Sequence, residues 1–358
     1  VKLLVWHWGR HGAGPIFAAR LSEALAANPD TETVLSLAAG AELLADGGAL
    51  RCDWPEPTYR GGLGYALQRL AAPLFRQRML KRLQAIRPDF AICAMPALLD
   101  RRMVQALKQA GISYAVVVHD ASPHPGDAWR FWLLDQAGLL RGAKILFALS
   151  AHVAAALRGQ GFGAAPQSVE QLWHPPFFFT AMPPPFRHGG RPRLLVFGRL
   201  LPYKGLDLLA DALALLGPVI PFDIKICGDG PVSAELARLR AMPGVEVQHR
   251  WIPEAELRGL IEWSDAVVLP YREASQSGVA AAAIGQGRLV VATKVGGLPE
   301  QLAGLESAIL CEPDATAIAA ALRRIGPSMR PAAAADAAAS WASMAAAMRA
   351  ELARSGAL

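Results

Sequence analysis

Short apolar runs of strand length alternate with helix-length stretches along the chain, and the alternation occurs twice. In the first half the strand-like runs are residues 2–6, 33–37, 90–94, 114–119, 145–149 and 168–172, with helical stretches at 16–27, 98–110 and 128–140. In the second half they are residues 193–198, 223–228, 245–249, 266–270, 289–293 and 308–310. Helical stretches there are 206–216, 233–241, 254–263, 277–285 and 315–325. Strands alternating with helices predict parallel sheets covered on both faces by crossover helices. Such strands read as continuous apolar runs because neither face meets water.

Between the halves, Pro175, Pro176, Pro183, Pro184, Pro185 and Pro192 crowd one short stretch. Proline at that density resists helix and central strand alike. The expected organisation is a first lobe over 1–173, a linker over 174–192, a second lobe over 193–330 and a C-terminal helix over 331–358. The fold class expected is α/β, two doubly wound, Rossmann-like parallel-sheet lobes facing a central cleft. Ligands of such sheets bind at the carboxyl ends of the strands. The chemistry therefore belongs in the loops that follow them.

Composition narrows the function classes. A chain of 358 residues has room for two domains, and 53% hydrophobic residues exclude disorder. Cys52, Cys93, Cys227 and Cys311 are scattered without a CxxC pair, against a disulfide scaffold or a zinc module. The best apolar runs, 145–157 and 279–284, fall short of the roughly 18 residues of a spanning helix. No leader pattern is read at residues 1–6, so the expectation is a soluble or peripheral protein.

The net charge of +6 is concentrated: residues 51–110 hold eleven Lys/Arg against four Asp/Glu. Within residues 60–87 there are seven basic side chains and no acid. A helix there, broken near its start by Pro73, puts Phe75, Met79, Leu83 and Ile86 on one stripe, flanked by Arg76 and Arg87 on one side and Arg78, Lys81 and Arg82 on the other. Two readings stand, a core helix with a solvated basic rim and an interfacial helix on anionic lipid. Nucleic-acid binding is disfavoured, as no helix-turn-helix, RRM or zinc-finger pattern accompanies the charge.

Four strand-end loops carry the chemistry. Gly198-Arg199-Leu-Leu-Pro-Tyr-Lys204-Gly205 places two cations between a strand and a helix start. Cations beside a helix N-terminus suit a diphosphate; the competing reading is a surface turn with two solvated cations. Cys227-Gly228-Asp229-Gly230-Pro231 is a glycine turn of the same kind, or an ordinary strand-to-helix turn. Pro270-Tyr271-Arg272-Glu273 leads to Ser277-Gly278. There a carboxylate can accept from sugar hydroxyls, and the first helical N–H groups can meet phosphate, or Ser277 is a plain N-cap. Gly296-Gly297-Leu-Pro299-Glu300 follows one unit later.

In this order and spacing, the four loops resemble the donor-binding lobe of GT-B fold glycosyltransferases, specifically family 4, from about residue 191 to 310. The resemblance implies a retaining transfer of a hexose from a nucleotide-diphosphate sugar, UDP- or GDP-linked, to a glycan or lipid-linked acceptor, as in surface polysaccharide synthesis. Arg199 and Lys204 match the family's diphosphate clamp. On the same resemblance Gly198, Gly228 and Gly230 are expected to line the nucleotide, and Ser277 and Gly278 to meet its phosphates. Glu273 matches the first Glu of the family's E-x7-E motif, expected at the donor sugar hydroxyls. The second Glu, which serves the ribose, is replaced by Ala281. In the first half, Gly12-Ala13-Gly14-Pro15 resembles the N-terminal glycine loop, and His119 the histidine beside the reacting sugar, with Asp120 and His124 as neighbours. No cofactor and no metal site is expected, with metal-independent, front-face displacement as the mechanism. The place expected is the cytoplasm, with a peripheral position on the inner face of the membrane through residues 60–87. Two alternatives are a sugar-nucleotide epimerase of the same fold and a non-catalytic sugar- or nucleotide-binding module.

Overall fold

The computed structural model describes residues 1–45, 51–59, 61–125, 129–177, 182–329 and 336–357, with backbone alone for 129–135. Of the expectations above, Arg60, residue 128, part of the proline-rich stretch (178–181) and residues 330–335 and 358 lie outside the described residues. The chain divides into two compact units. Unit 1 holds Val1–Pro123, Ala128–Trp173 and Trp341–Leu358, and unit 2 holds His124–Asp127 and His174–Ser340.

In unit 1 the strands are β1 (Lys2–His7), β2 (Glu32–Ala38), β3 (Trp54–Glu56), β4 (Phe90–Cys93), β5 (Tyr114–Val118), β6 (Ile145–Ala148) and β7 (Ser168–Gln171). They form a parallel sheet in the order β3-β2-β1-β4-β5-β6-β7. In unit 2 the strands β8 (Arg193–Phe197), β9 (Asp223–Gly228), β10 (Val245–His249), β11 (Ala266–Leu269), β12 (Leu289–Thr293) and β13 (Ala308–Cys311) form a second parallel sheet, β10-β9-β8-β11-β12-β13. Each sheet reverses direction of winding beside its first strand, at β1/β4 and at β8/β11. These are the switch points at which open α/β sheets leave a crevice.

The strands form where the apolar runs lie because burial on both faces rewards them. Every residue of β11 and β12 is buried, as are five of the six in β1. At about 1.5–3 kcal/mol for each large apolar side chain removed from water, such runs outweigh local propensity. β3 was not foreseen. It is three residues long, contains Pro55 and sits at the sheet edge, where a missing N–H costs nothing.

The basic stretch resolves into two helices, Gly61–Leu70 and Ala72–Ile86. Pro73 lies in the first turn of the second, where its absent N–H is tolerated. Met79 and Leu83 are buried in the unit 1 core, with Ile86 packed against it. Phe75 lies under the Arg102 guanidinium, 4.7 Å from the ring centre. The Phe75–Met79–Leu83–Ile86 stripe is therefore a core face, and the expectation that it meets lipid is corrected. Arg82 is not a solvated rim residue either. It donates to the Asp53 carbonyl at 3.0 Å and lies over the Trp54 ring at 5.2 Å.

The proline-rich stretch is an arm laid on unit 2 rather than a free tether. Phe177 N donates to Ala281 O at 3.1 Å, and the buried Arg288 donates to Pro183 O at 2.6 Å. His188 Nε2 meets Asp265 Oδ2 at 2.7 Å. The last helix, Ala337–Arg354, buries Trp341, Met344, Ala345, Met348 and Leu352 along one face. From Trp341 onward it belongs to unit 1, where the indole packs edge-on against Phe17 at 5.1 Å.

Candidate active site

In unit 2 the carboxyl ends of β8, β9, β11 and β12 run into four loops locked together by backbone contacts. Gly198 N donates to Cys227 O at 3.1 Å, and Leu200 N to Asp229 O at 2.8 Å. A Cβ at Gly228 would lie 1.8 Å from Gly198 O, and one at Gly230 would lie 2.4 Å from Leu200 O. The glycines of the Gly-Asp-Gly-Pro turn thus let one strand-end loop press on the next. His249 Nε2 lies 2.8 Å from Gly230 O, tying the end of β10 to the same turn.

The loop after β8 makes a short 3-10 turn, Pro202–Lys204, and leaves it through Gly205 at φ 66°. A Cβ there would fall 1.9 Å from Pro270 O, so only glycine allows the turn to close on the end of β11. Tyr203 is buried, and Arg199 donates to its hydroxyl at 3.2 Å. The Lys204 ammonium sits 3.7 Å from the centre of the Tyr271 ring and 4.9 Å from that of Tyr203. Both cations thus touch aromatic side chains, the exposed Arg199 through one hydrogen bond and the half-buried Lys204 over two rings. Burial pushes the Tyr271 phenol above its ordinary range, so the ring beneath Lys204 stays neutral.

Glu273 follows on the next loop. Its position is set by its neighbour: Arg272 N donates to Tyr203 O at 2.8 Å, and the Arg272 guanidinium pairs with Asp207 in the first turn of helix Leu206–Ala214. That bond holds the Asp207 carboxyl below its ordinary range. Glu273 itself is exposed, with Oε2 3.9 Å from His124 Nδ1. His124 is buried and stacks on Tyr203, with centres 4.5 Å apart and planes at 18°. The short run holding His124 belongs to unit 2, whereas its place in the sequence put it in the first lobe.

The helix Gly278–Gly285 starts beside this loop. Ser277 caps it, its hydroxyl accepting from Ala280 N at 3.2 Å. Ser277 N donates to Gln301 Oε1 and Ser277 O accepts from Gln301 Nε2, both at 2.9 Å. The expectation that the Ser277 amide meets phosphate is corrected, since Gln301 occupies it. By helix geometry the amides of Gly278 and Val279 have no intrahelical acceptor, so the helix end begins its donor set at Gly278. Thr293 donates to Tyr271 O at 2.6 Å and Gly297 N to Ala274 O at 3.0 Å, which brings the β12 loop against the Glu273 loop. Ala281 is buried and its carbonyl accepts from Phe177 N, so the second carboxylate of the motif has no substitute there.

In unit 1 the corresponding strand ends hold two histidines. His119 directly follows β5, is buried, and places Nε2 3.2 Å from Ala94 O. Its ring packs edge-on against Phe17 at 4.8 Å, on the helix Ala13–Ala26 that the glycine loop opens. His7 ends β1 and bonds the next carbonyl, Met95 O, through Nδ1 at 2.8 Å. Burial, partly offset by that bond, brings its pKa down to about 4. Gly14 owes its lack of side chain to His7, since a Cβ there would lie 2.3 Å from His7 Nε2. Gly12 caps the helix at φ 79°. Asp120 is half-buried beside His119.

Sequence reasoning missed His7, Tyr203, Tyr271, Arg272 and Gln301. The tyrosines had a legible signal, each following proline in a strand-end loop and preceding a cation. Among the described residues no group of three His, Cys, Asp or Glu could hold a metal ion. No described helix is long and apolar enough to cross a membrane.

Comparison with known proteins fits this geometry. Residues 191–326 match the family described as "Glycosyl transferases group 1". A D-inositol 3-phosphate glycosyltransferase of Jonesia denitrificans is 38% identical over 129 residues, 33% of this chain and 30% of that protein. The chain thus aligns with less than a third of that relative's length. Among solved structures, Anabaena HepE in complex with UDP and glucose superposes with a TM-score of 0.71 at 19% identity, covering 99% of this chain and 98% of that one. Sucrose-phosphate synthase of Thermosynechococcus elongatus gives 0.69 at 18%, with the same coverage. The fold is GT-B, with each parallel-sheet unit supplying one of its lobes.

Proposed function

We propose that the chain is a retaining glycosyltransferase of family 4 type. It moves a hexose from a UDP- or GDP-linked donor to a glycan or lipid-linked acceptor in surface polysaccharide synthesis, on the cytoplasmic side. The observation that carries this reading is the cation pair of unit 2. Arg199 and Lys204 sit on one short loop, set by Tyr203 and Tyr271, beside Glu273 and the amino end of helix Gly278–Gly285. Fixed positive charge at a helix N-terminus suits a diphosphate, and a neighbouring exposed carboxylate suits sugar hydroxyls. The group 1 match over 191–326 and the inositol phosphate glycosyltransferase relative support the same assignment. The UDP and glucose bound by Anabaena HepE support a nucleotide-sugar donor.

In the reaction, the acceptor hydroxyl oxygen bonds to the anomeric carbon on the face from which the diphosphate leaves. The bond from that carbon to the phosphate oxygen breaks, and the acceptor proton passes to the departing phosphate. Arg199, Lys204 and the first-turn amides meet the charge that grows on the leaving group, so catalysis rests on preorganised electrostatics. The reading takes the transfer as metal-independent. Chelator-sensitive turnover restored by divalent ions would overturn that part. His119 is assigned to the reacting sugar, so His119→Ala lowers kcat while nucleotide affinity is kept.

The test is a hydrolysis and transfer panel of UDP- and GDP-sugars. Lys204→Ala and Glu273→Ala are expected to lower turnover by about 100-fold or more, the scale of losing one charge-stabilising group. Wild-type rates in both variants reject the site. Release of nucleotide with epimerised free sugar, independent of acceptor, would identify an epimerase instead. Thermal stabilisation by free sugar and by neither nucleotide would identify a binding module.

A further inference from the structure

The surface of unit 1 carries an exposed apolar ridge that the core reading of the basic helix does not absorb. Leu63, Leu67, Leu70 and Leu74 are 78%, 57%, 80% and 73% exposed. They recur at steps of four, three and four across the helices Gly61–Leu70 and Ala72–Ile86. That spacing keeps them on one face. The chain barely breaks between the helices: Ala71 N donates to Leu67 O at 3.0 Å, and Phe75 N to Ala71 O at 3.3 Å. The same spacing continues to Arg78 and Lys81, both exposed. The opposite face of the second helix holds Met79 and Leu83 in the core. No residue of Gly61–Leu70 is buried, so packing does not account for its leucines.

We infer that this ridge is a docking face for an anionic lipid bilayer surface. Isolated exposed leucines are ordinary, but four in one row leading into cations form an amphipathic interfacial pattern. Charge complementarity chooses the occupant. Residues 61–87 contain no carboxylate, so a second copy of the ridge would bring leucines but no counter-charge. An anionic headgroup layer supplies the counter-charge, and the acyl boundary beneath it takes the leucines. The surface is distinct from the Phe75–Ile86 stripe that the sequence suggested for lipid. It also stands independently of the transfer reading, because its test contains no donor.

The experiment is co-sedimentation of the full chain with vesicles of phosphatidylcholine alone and of phosphatidylcholine mixed with phosphatidylglycerol. The wild type is expected on the mixed vesicles and not on the neutral ones. Leu67→Glu with Leu70→Glu is expected to abolish binding. Arg78→Ala with Lys81→Ala is expected to weaken it on the order of thirtyfold, at ~1 kcal/mol per cation near the surface. All four side chains are exposed, so melting temperature and circular dichroism should match the wild type. Leu215→Glu, at an exposed leucine of unit 2, should bind as the wild type does. Equal binding to both vesicles, no binding to either, or binding unchanged in both double variants overturns the inference. Concentration-dependent dimerisation that the leucine substitutions abolish overturns it too, and assigns the ridge to a second copy.

Discussion

At Gly205 the backbone is left-handed and the Pro270 carbonyl lies where a side chain would begin. Gly205→Ala must either push the ends of β8 and β11 apart or strain the turn that carries Lys204. The expected cost is about 3 kcal/mol or more, read as a fall in unfolding free energy. Gly14→Ala, which drives into the His7 ring, should destabilise unit 1 on a similar scale. The residues easiest to read from sequence were those whose chemistry follows from local position: Arg199, Lys204 and Glu273 each sit just past a strand. Those missed act through distant partners. Arg272 pairs with a residue 65 positions earlier, and His7 bonds a carbonyl 88 positions later. No local pattern encodes such pairs, because the sheet order, rather than the chain order, brings them together.

Among the elements, the helix Gly278–Gly285 shows how a site is set by its ends. Ser277 caps it, and Gln301 clamps the Ser277 backbone from the short helix Leu298–Gln301. Ser277→Ala should cost ~1 kcal/mol of stability, the usual loss of an N-cap, measured by denaturant unfolding. Gln301→Ala should shift nucleotide affinity more than stability, since it frees an amide beside the proposed phosphate site; isothermal titration with UDP and with GDP would show it. Twelve of the strands were legible because continuous burial writes itself as apolar runs. The helix Gly61–Leu70 was not: Gly61, Gly62 and Gly64 lower its propensity, and none of its side chains is buried to enforce a pattern. The core face of Ala72–Ile86 and an interfacial face look alike in sequence, since both are apolar stripes beside cations. Only the position of the sheet separates them.

For the whole molecule, each unit holds a histidine buried in its neutral form. Burial is the main cause at both His7 and His174, each lowered from 6.5 to about 4. The unfolded chain takes up these protons first as pH falls below 6.5, so the stability they carry is present above that pH. It is lost on the way to about 4, at roughly 1.4 kcal/mol per pH unit for each ring. Denaturant midpoints across this window should fall less steeply in His7→Gln and in His174→Gln. Trp341→Ala should cost about 3–5 kcal/mol in unit 1, since the indole is packed against Phe17 from the far end of the chain. That contact joins residues 17 and 341 inside one unit, with all of unit 2 encoded between them. During synthesis, then, every residue of unit 2 is added before Trp341, the residue that covers Phe17 in unit 1. A chain cut just before residue 341 would keep every residue of unit 2 and leave Phe17 of unit 1 uncovered.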